Sequence, residues 1–203
     1  MQPFRNYTVN PAELVVRALK GAKLSEDARR ETTASDEDAM GDERAESPPP
    51  ERRRRPVEVV RADVVPTSYA RAGAHVASLH EWRDESGDAL DLVVHVGVGW
   101  PGALALEHLA RRSPPYVSQD VDCELPSDGA VAEHLACGAP ATLTSTCEVE
   151  SVVAQVASGS STCDVRSSTN AGAYVCEHTF FCSLAAAAAH RSGARVQFVH
   201  IPP

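Results

Sequence analysis

The sequence predicts an α/β domain, a three-layer αβα sandwich around a mostly parallel sheet. Three observations point there. Apolar runs of strand length alternate along the chain with segments of helical period. Hydrophobic residues make up 43 % of the chain but aromatics only 5 %, so alanine, valine and leucine must build the core. The length, 203 residues, suits one hydrophobic core.

Taken in order, NPAELVVRALKG puts Leu14, Val15, Ala18 and Leu19 on one helix face, with Asn10 as N-cap, Pro11 at the first position and Gly21 as the stop. From Ala22 to Pro56 the chain turns dense in charge and proline, with ten acids and eight bases and almost no large apolar residue. This composition predicts a disordered insertion at about 22–56, interrupting a single domain over residues 1–203. The tetra-arginine Arg52 to Arg55 within it, flanked by acids, reads as solvated linker rather than as a nuclear or nucleic-acid signal.

The β-branched run VEVVRADVVP then predicts a strand that ends at a proline, and SYARAGAHVASLHEWRDESG a second helix. LDLVVHVGVG, Leu90 to Gly99, is a nearly continuous apolar run and reads as a central parallel strand. WPGALALEHLARR is open: propensity favours a helix, whereas its alternation permits a strand. SPPYVSQDVDCELPSDG is loop, and STCEVESVVAQVASG a helix carrying Val149, Val152, Val153 and Val156. DVRSSTNAGAYV is strand then turn, HTFFCSLAAAAAHRSG a helix with Gly193 beyond its end, and ARVQFVHIPP a closing strand.

Several function classes are excluded by this composition. A net charge of −9 and a pI near 5.3 repel phosphate, so neither nucleic acid nor an anionic membrane is an expected partner. Without the insertion the remainder is still acidic, with 18 acids against 11 bases. No window approaches the ~18 apolar residues of a membrane span, and MQPFRNYTVNP lacks the order of a secretory signal, so the expected location is cytoplasmic. The six cysteines, at positions 123, 137, 147, 163, 176 and 182, form no CxxC pair and no zinc-like spacing to histidine. With no HExxH, paired-histidine or carboxylate cluster either, no metal and no cofactor is expected, and a metallohydrolase is a distant reading.

Parallel α/β sheets bind substrates beyond the carboxyl ends of their strands. Cys176 follows a strand and a glycine and leads into a helix, whose dipole and free N–H groups stabilise a thiolate. His200 ends the strand RVQFVH and projects from the same edge, where the two can meet as nucleophile and general base. A buried cysteine and a capping histidine would look the same in sequence.

AGAYVCEHTFFCSL resembles the nucleophile segment of the type I pyroglutamyl peptidases, cysteine peptidases that remove an N-terminal pyroglutamate. VQFVHIPP resembles their histidine segment, LDLVVHVGVG followed by ALALEHLAR their strand, loop and glutamate-bearing segment, and PFRNYTVNPAELVV their opening. The four matches stand in family order. The resemblance implies Cys176 as nucleophile, His200 as general base and Glu107 as the carboxylate that orients the imidazole, with no cofactor. It implies peptides with an N-terminal pyroglutamate as substrates, an oligomer being possible, and a pocket lined by Phe4, Val98, Tyr174 and Val175.

Against the family pattern, the first strand and the long C-terminal helix are missing, and the loop Gly99, Trp100, Pro101, Gly102 departs from a small-residue loop. Proline there removes an N–H donor. These departures support an alternative reading, a catalytically silent homologue acting as a binding or interaction module. Cys182, six residues after Cys176, reads as a core position rather than a resolving thiol.

Overall fold

The structure, a computed structural model, describes residues 10–24, 57–112, 115–116, 118–126, 140–158 and 164–203. The chain divides into two compact units, one of Met1–Val16 with Val64–Pro203 and one of Arg17–Asp63. In the smaller unit, β1 (Lys23–Leu24) pairs antiparallel with β2 (Val57–Glu58), and Lys23 Nζ lies 3.7 Å from Glu58 Oε1. Both side chains are exposed, so the ion pair contributes at most about 1 kcal/mol. Most of the expected insertion, residues 25–56, lies outside the described residues. The strand expected over VEVVRADVVP shrinks to β2: Val60 and Val64 are exposed, and without a ladder partner β-branched propensity does not make a strand.

The first helix, α1 (Pro11–Leu19), starts as its sequence predicts, with Asn10 Oδ1 accepting from Ala12 N at 2.9 Å. The second, α2 (Tyr69–Glu81), is capped by Ser68, whose hydroxyl accepts from Arg71 N. Asp120 reinforces that end, taking Tyr69 N at 2.8 Å.

The main unit is built on a four-stranded sheet of β3 (Leu92–Val98), β8 (Arg195–Ile201), β4 (Ala103–Glu107) and β7 (Asp164–Ser168), in that order. It is mainly parallel: β3 with β8 and β4 with β7 run parallel, and only β4 with β8 runs antiparallel. A short antiparallel pair, β5 (Leu109–Arg111) with β6 (Thr142–Thr144), extends from it. The segment left open over residues 100–112 is thus strand. Its alternation decides, because β4 is bracketed by β7 and β8 and buries residues on both faces. The expected central strand, β3, instead stands at the edge among the described residues. Among the described residues it pairs with β8 alone, and Val94 is 49 % exposed, since an apolar run by itself specifies neither a second neighbour nor a cover on both faces.

The other helices are α3 (Val149–Ser158), which packs on β7 and β4, and α4 (Val175–Ala189), which packs on α2, β5 and β8. Phe180 and Phe181 of α4, Val76 of α2 and Val196 and Phe198 of β8 share one core, each phenylalanine worth roughly 1.5–3 kcal/mol of burial. Small residues let α2 lie close to α4; a Cβ on Gly73 would meet His178 Nε2 at 3.5 Å. Polar groups between the helices are paired: His80 meets Ser183 Oγ at 3.0 Å and Ser192 Oγ at 3.3 Å. Burial pushes His80 down to about 4, so it is neutral there. No helix among the described residues is long and apolar enough to cross a membrane.

Candidate active site

The antiparallel register of β4 and β8 sets Ala105 opposite His200 and Glu107 opposite Phe198, so Glu107 and His200 are diagonal neighbours on one sheet face. Their side chains meet there: His200 Nδ1 is 2.8 Å from Glu107 Oε1, with Glu107 2 % and His200 12 % exposed. Above that face stands the first turn of α4. The helix begins at Val175, three residues earlier than His178, where the sequence suggests, so Cys176 lies inside the first turn and not ahead of it. Its N-cap, Tyr174, makes no side-chain capping bond, which leaves the N–H groups around Cys176 without that partner.

His200 is the point of contact. Its Nδ1 hydrogen-bonds Glu107, and the Cys176 sulfur stands close enough to favour its charged form. Burial alone would lower its pKa, but Cys176 and Glu107 together outweigh burial and push it up to about 9. At neutral pH the ring is therefore an imidazolium between a sulfur and a carboxylate. With Nδ1–H donated to Glu107, Nε2 is the nitrogen turned to the thiol.

Two glycines at the end of β3 make room for this arrangement. A Cβ on Gly97 would come within 3.1 Å of Cys176 Sγ and 3.0 Å of the Phe198 ring, and one on Gly99 within 2.7 Å of His200 Cβ. The reading of LDLVVHVGVG as a strand missed both; the signal was the small residue at alternate positions of its last turn toward the sheet edge.

Arg111 and Glu177 were missed as well. Glu177 follows Cys176, is fully buried, and accepts from Arg111 through the backbone N and through Nη2 at 2.8 Å. Neither was legible, since the contact spans 66 residues.

The other expected positions are distributed as follows. Val98 ends β3 and is partly buried. Tyr174 stacks edge-on against Tyr69 at 5.8 Å, and its hydroxyl donates to Gln119 O at 3.2 Å. Val175 is buried with Tyr69 and Ala72, with Val65 and Tyr116 beside them. Phe4 lies outside the described residues. Among the described residues no group of His, Cys, Asp and Glu is placed to hold a metal ion.

Compared with known families, residues 56–203 match the one described as pyroglutamyl peptidase. No curated protein matches the chain. The fold is similar to a mutant pyrrolidone carboxyl peptidase from Pyrococcus furiosus, at 19 % identity and a TM-score of 0.68, over 98 % of this chain and 76 % of that one. It is similar to the pyrrolidone carboxyl peptidase from Thermococcus litoralis, at 18 % identity and a TM-score of 0.68, over 98 % and 72 %. It is also similar to pyroglutamyl peptidase I from Bacillus amyloliquefaciens, at 20 % identity and a TM-score of 0.69, over 99 % and 76 %. At these identities the likeness is one of fold.

Proposed function

The chain belongs to the pyroglutamyl peptidase family, and on that premise we propose that it is a cysteine peptidase removing N-terminal pyroglutamate from peptides. The observation that carries this is the buried His200–Glu107 pair at the end of the sheet, with Cys176 beside it. It joins three residues far apart in sequence through a helix start and two strands.

Cys176 attacks the carbonyl carbon that joins the pyroglutamyl ring to the next residue. A carbon–sulfur bond forms as the carbonyl electrons move onto oxygen, and the N–H groups at the start of α4 stabilise that oxyanion. His200 gives its Nε2 proton to the departing amine, the carbon–nitrogen bond breaks, and a thioester remains on Cys176. His200, now neutral, takes a proton from water, whose oxygen attacks the thioester; pyroglutamate leaves and the thiolate–imidazolium pair returns. Glu107 keeps the imidazole in the productive tautomer and stabilises its charged form in both halves.

The neutral lactam needs an apolar pocket with hydrogen-bonding groups rather than a charged one. Tyr174 and Val175, which precede Cys176 in the chain, suit that role, and Val98 and Phe4 are assigned to the same pocket by the family pattern. A silent homologue is the weaker reading, because loss of selection on catalysis does not keep a buried carboxylate paired with the histidine that stands beside the cysteine.

The test is release of a fluorophore from a pyroglutamyl-arylamide by the full chain, beside Cys176→Ala and an alkylated sample. Turnover in the wild type alone is the expected result. No turnover from a chain that circular dichroism shows to be folded would overturn the peptidase reading.

A further inference from the structure

Cys176 is followed on its own helix by a buried carboxylate, which is an unfavourable neighbour for a thiolate. Glu177 is fully buried and sits in the same first turn. An uncompensated negative charge there would oppose ionisation of the thiol. Arg111, on β5, meets that charge with both its backbone N–H and its guanidinium. The same Nη2 reaches Asn170 Oδ1 at 2.6 Å and Gly172 O at 3.1 Å, in the loop that delivers the chain into α4.

The strand that carries Arg111 gives this contact its meaning. β5 follows β4 after one residue, so Arg111 stands four residues beyond Glu107 and rides on the element that fixes the carboxylate. Glu107 and His200 are locked together by the register of β4 with β8. Cys176 belongs to neither strand, and the bonds from Arg111 to Glu177, Asn170 and Gly172 tie its helix and its loop to that frame.

We propose that Arg111 is the positioning residue of the nucleophile: it neutralises the buried Glu177 beside Cys176 and fixes the start of α4 against the strands that carry Glu107 and His200. The assignment rests on the reading of Cys176 as nucleophile. The charged and titratable groups that face Cys176 are His200 from β8, with Glu107 of β4 behind it, Tyr69 from α2, and Tyr174 and Glu177 from its own end of α4. Arg111 is the cation that Glu177 contacts directly, and its guanidinium also lies in the field of Glu107.

The electrostatic part of this role has a signature that a merely structural clamp lacks, because the two single variants must move the thiol in opposite directions. R111M leaves the carboxylate without its counter-charge, bonded only by the backbone N–H of residue 111, whereas E177Q leaves the guanidinium charge uncompensated. The experiment is iodoacetamide labelling of the full chain across pH, read at the Cys176 peptide by mass spectrometry, for wild type, R111M, E177Q and R111M/E177Q. The labelling midpoint is expected to rise by roughly 0.5–1 pH unit in R111M and to fall by a similar amount in E177Q. In the double variant it returns close to wild type.

Midpoints that shift in the same direction in the two single variants, or that stay at the wild-type value, would overturn the proposal. Should R111M not fold, E177Q against the double variant decides alone: a lower midpoint in E177Q supports the proposal, and equal midpoints overturn it. Labelling needs no substrate. A wild type that labels at Cys176 with these shifts but turns over no pyroglutamyl-arylamide would therefore sink the peptidase reading and leave the role of Arg111 standing.

Discussion

The helix α4 carries two cysteine–histidine pairs, one at its first turn and one in its interior, and they differ in almost everything but residue type. Cys182 Sγ lies 3.5 Å from His178 Nε2, one helical turn away on the same helix, both side chains buried. Burial pushes Cys182 up to about 12 and His178 down to about 4, so the pair is neutral at every ordinary pH. At Cys176 the partner histidine comes from another element and is pushed up to about 9 despite burial. Two things separate the pairs. Glu107 stands behind His200, and Cys176 sits in the first turn, in the field of the helix N-terminus, whereas Cys182 lies nearly two turns further in. Proximity of a thiol and an imidazole is therefore not enough to make a nucleophile; a buried carboxylate behind the ring and a helix start beneath the sulfur set the site pair apart.

The sharpest way to break this comparison is to remove each sulfur in turn. Cys176→Ala is expected to lower turnover of a pyroglutamyl-arylamide by at least about a thousandfold, and Cys182→Ala to leave it within roughly threefold. The second variant does lose thermal stability, since it opens a small gap beside Phe181 at a site 4 % exposed. A Cys182→Ala enzyme as inactive as Cys176→Ala would show that the two pairs are not separate.

Next in size is the carboxylate. Cys176 and Glu107 both raise His200, and Glu107→Gln keeps the shape but removes the second of these charges, so kcat should fall by about 10²–10⁴. The pH profile carries the more specific readout. With His200 near 9, the wild type should lose activity as pH rises through about 9, when the imidazolium deprotonates. In Glu107→Gln that alkaline limb should move to lower pH. An unmoved limb would mean that the charge on Glu107 does not set the histidine.

Much of the frame was legible in the sequence, for reasons specific to each element. Asn10 followed by Pro11 fixed the start of α1, and Gly193, at φ +72°, its counterpart past the end of α4. Cys176 and His200 could be located because a strand end and a helix start are local patterns. Their junction with Glu107 could not, because it depends on the antiparallel register of β4 on β8 inside a parallel sheet, and nothing local specifies that pairing. The family resemblance supplied Glu107 instead. The edge position of β3, the Arg111–Glu177 contact and the two glycines under the site are likewise products of tertiary approach.

Those glycines provide the next test, because each presses on a different member of the site. Gly99→Ala drives a methyl into His200 Cβ, an atom that cannot move without the strand, and should cost roughly a hundredfold in kcat. Gly97→Ala meets the Phe198 ring and the Cys176 sulfur at 3.0–3.1 Å, contacts that yield by a few tenths of an ångström, and should cost about tenfold. Equal activity in both variants and the wild type would show that the close packing at the end of β3 does not hold the pair in place.

The smallest effect, and the one that separates the two pairs by thermodynamics alone, is the pH dependence of stability. His200 is raised in the folded chain from 6.5 to about 9, so its contribution is fully present below about 6.5 and is lost as pH rises through about 9. His178 is lowered to about 4, so its contribution is fully present above about 6.5 and is lost as pH falls through about 4. The interior pair thus weakens the fold in acid and the site pair in alkali, each by something on the order of 3 kcal/mol. Urea midpoints measured from pH 4 to 9 should form a dome that peaks near neutrality. Since Cys182 has an ordinary value of 9.0 and is held well above it in the fold, it adds to the alkaline loss only toward the top of that range. His200→Gln isolates the difference: it should flatten the alkaline side and leave the acid side unchanged. An alkaline side that keeps its full slope in this variant would mean that the His200 imidazolium does not stabilise the fold.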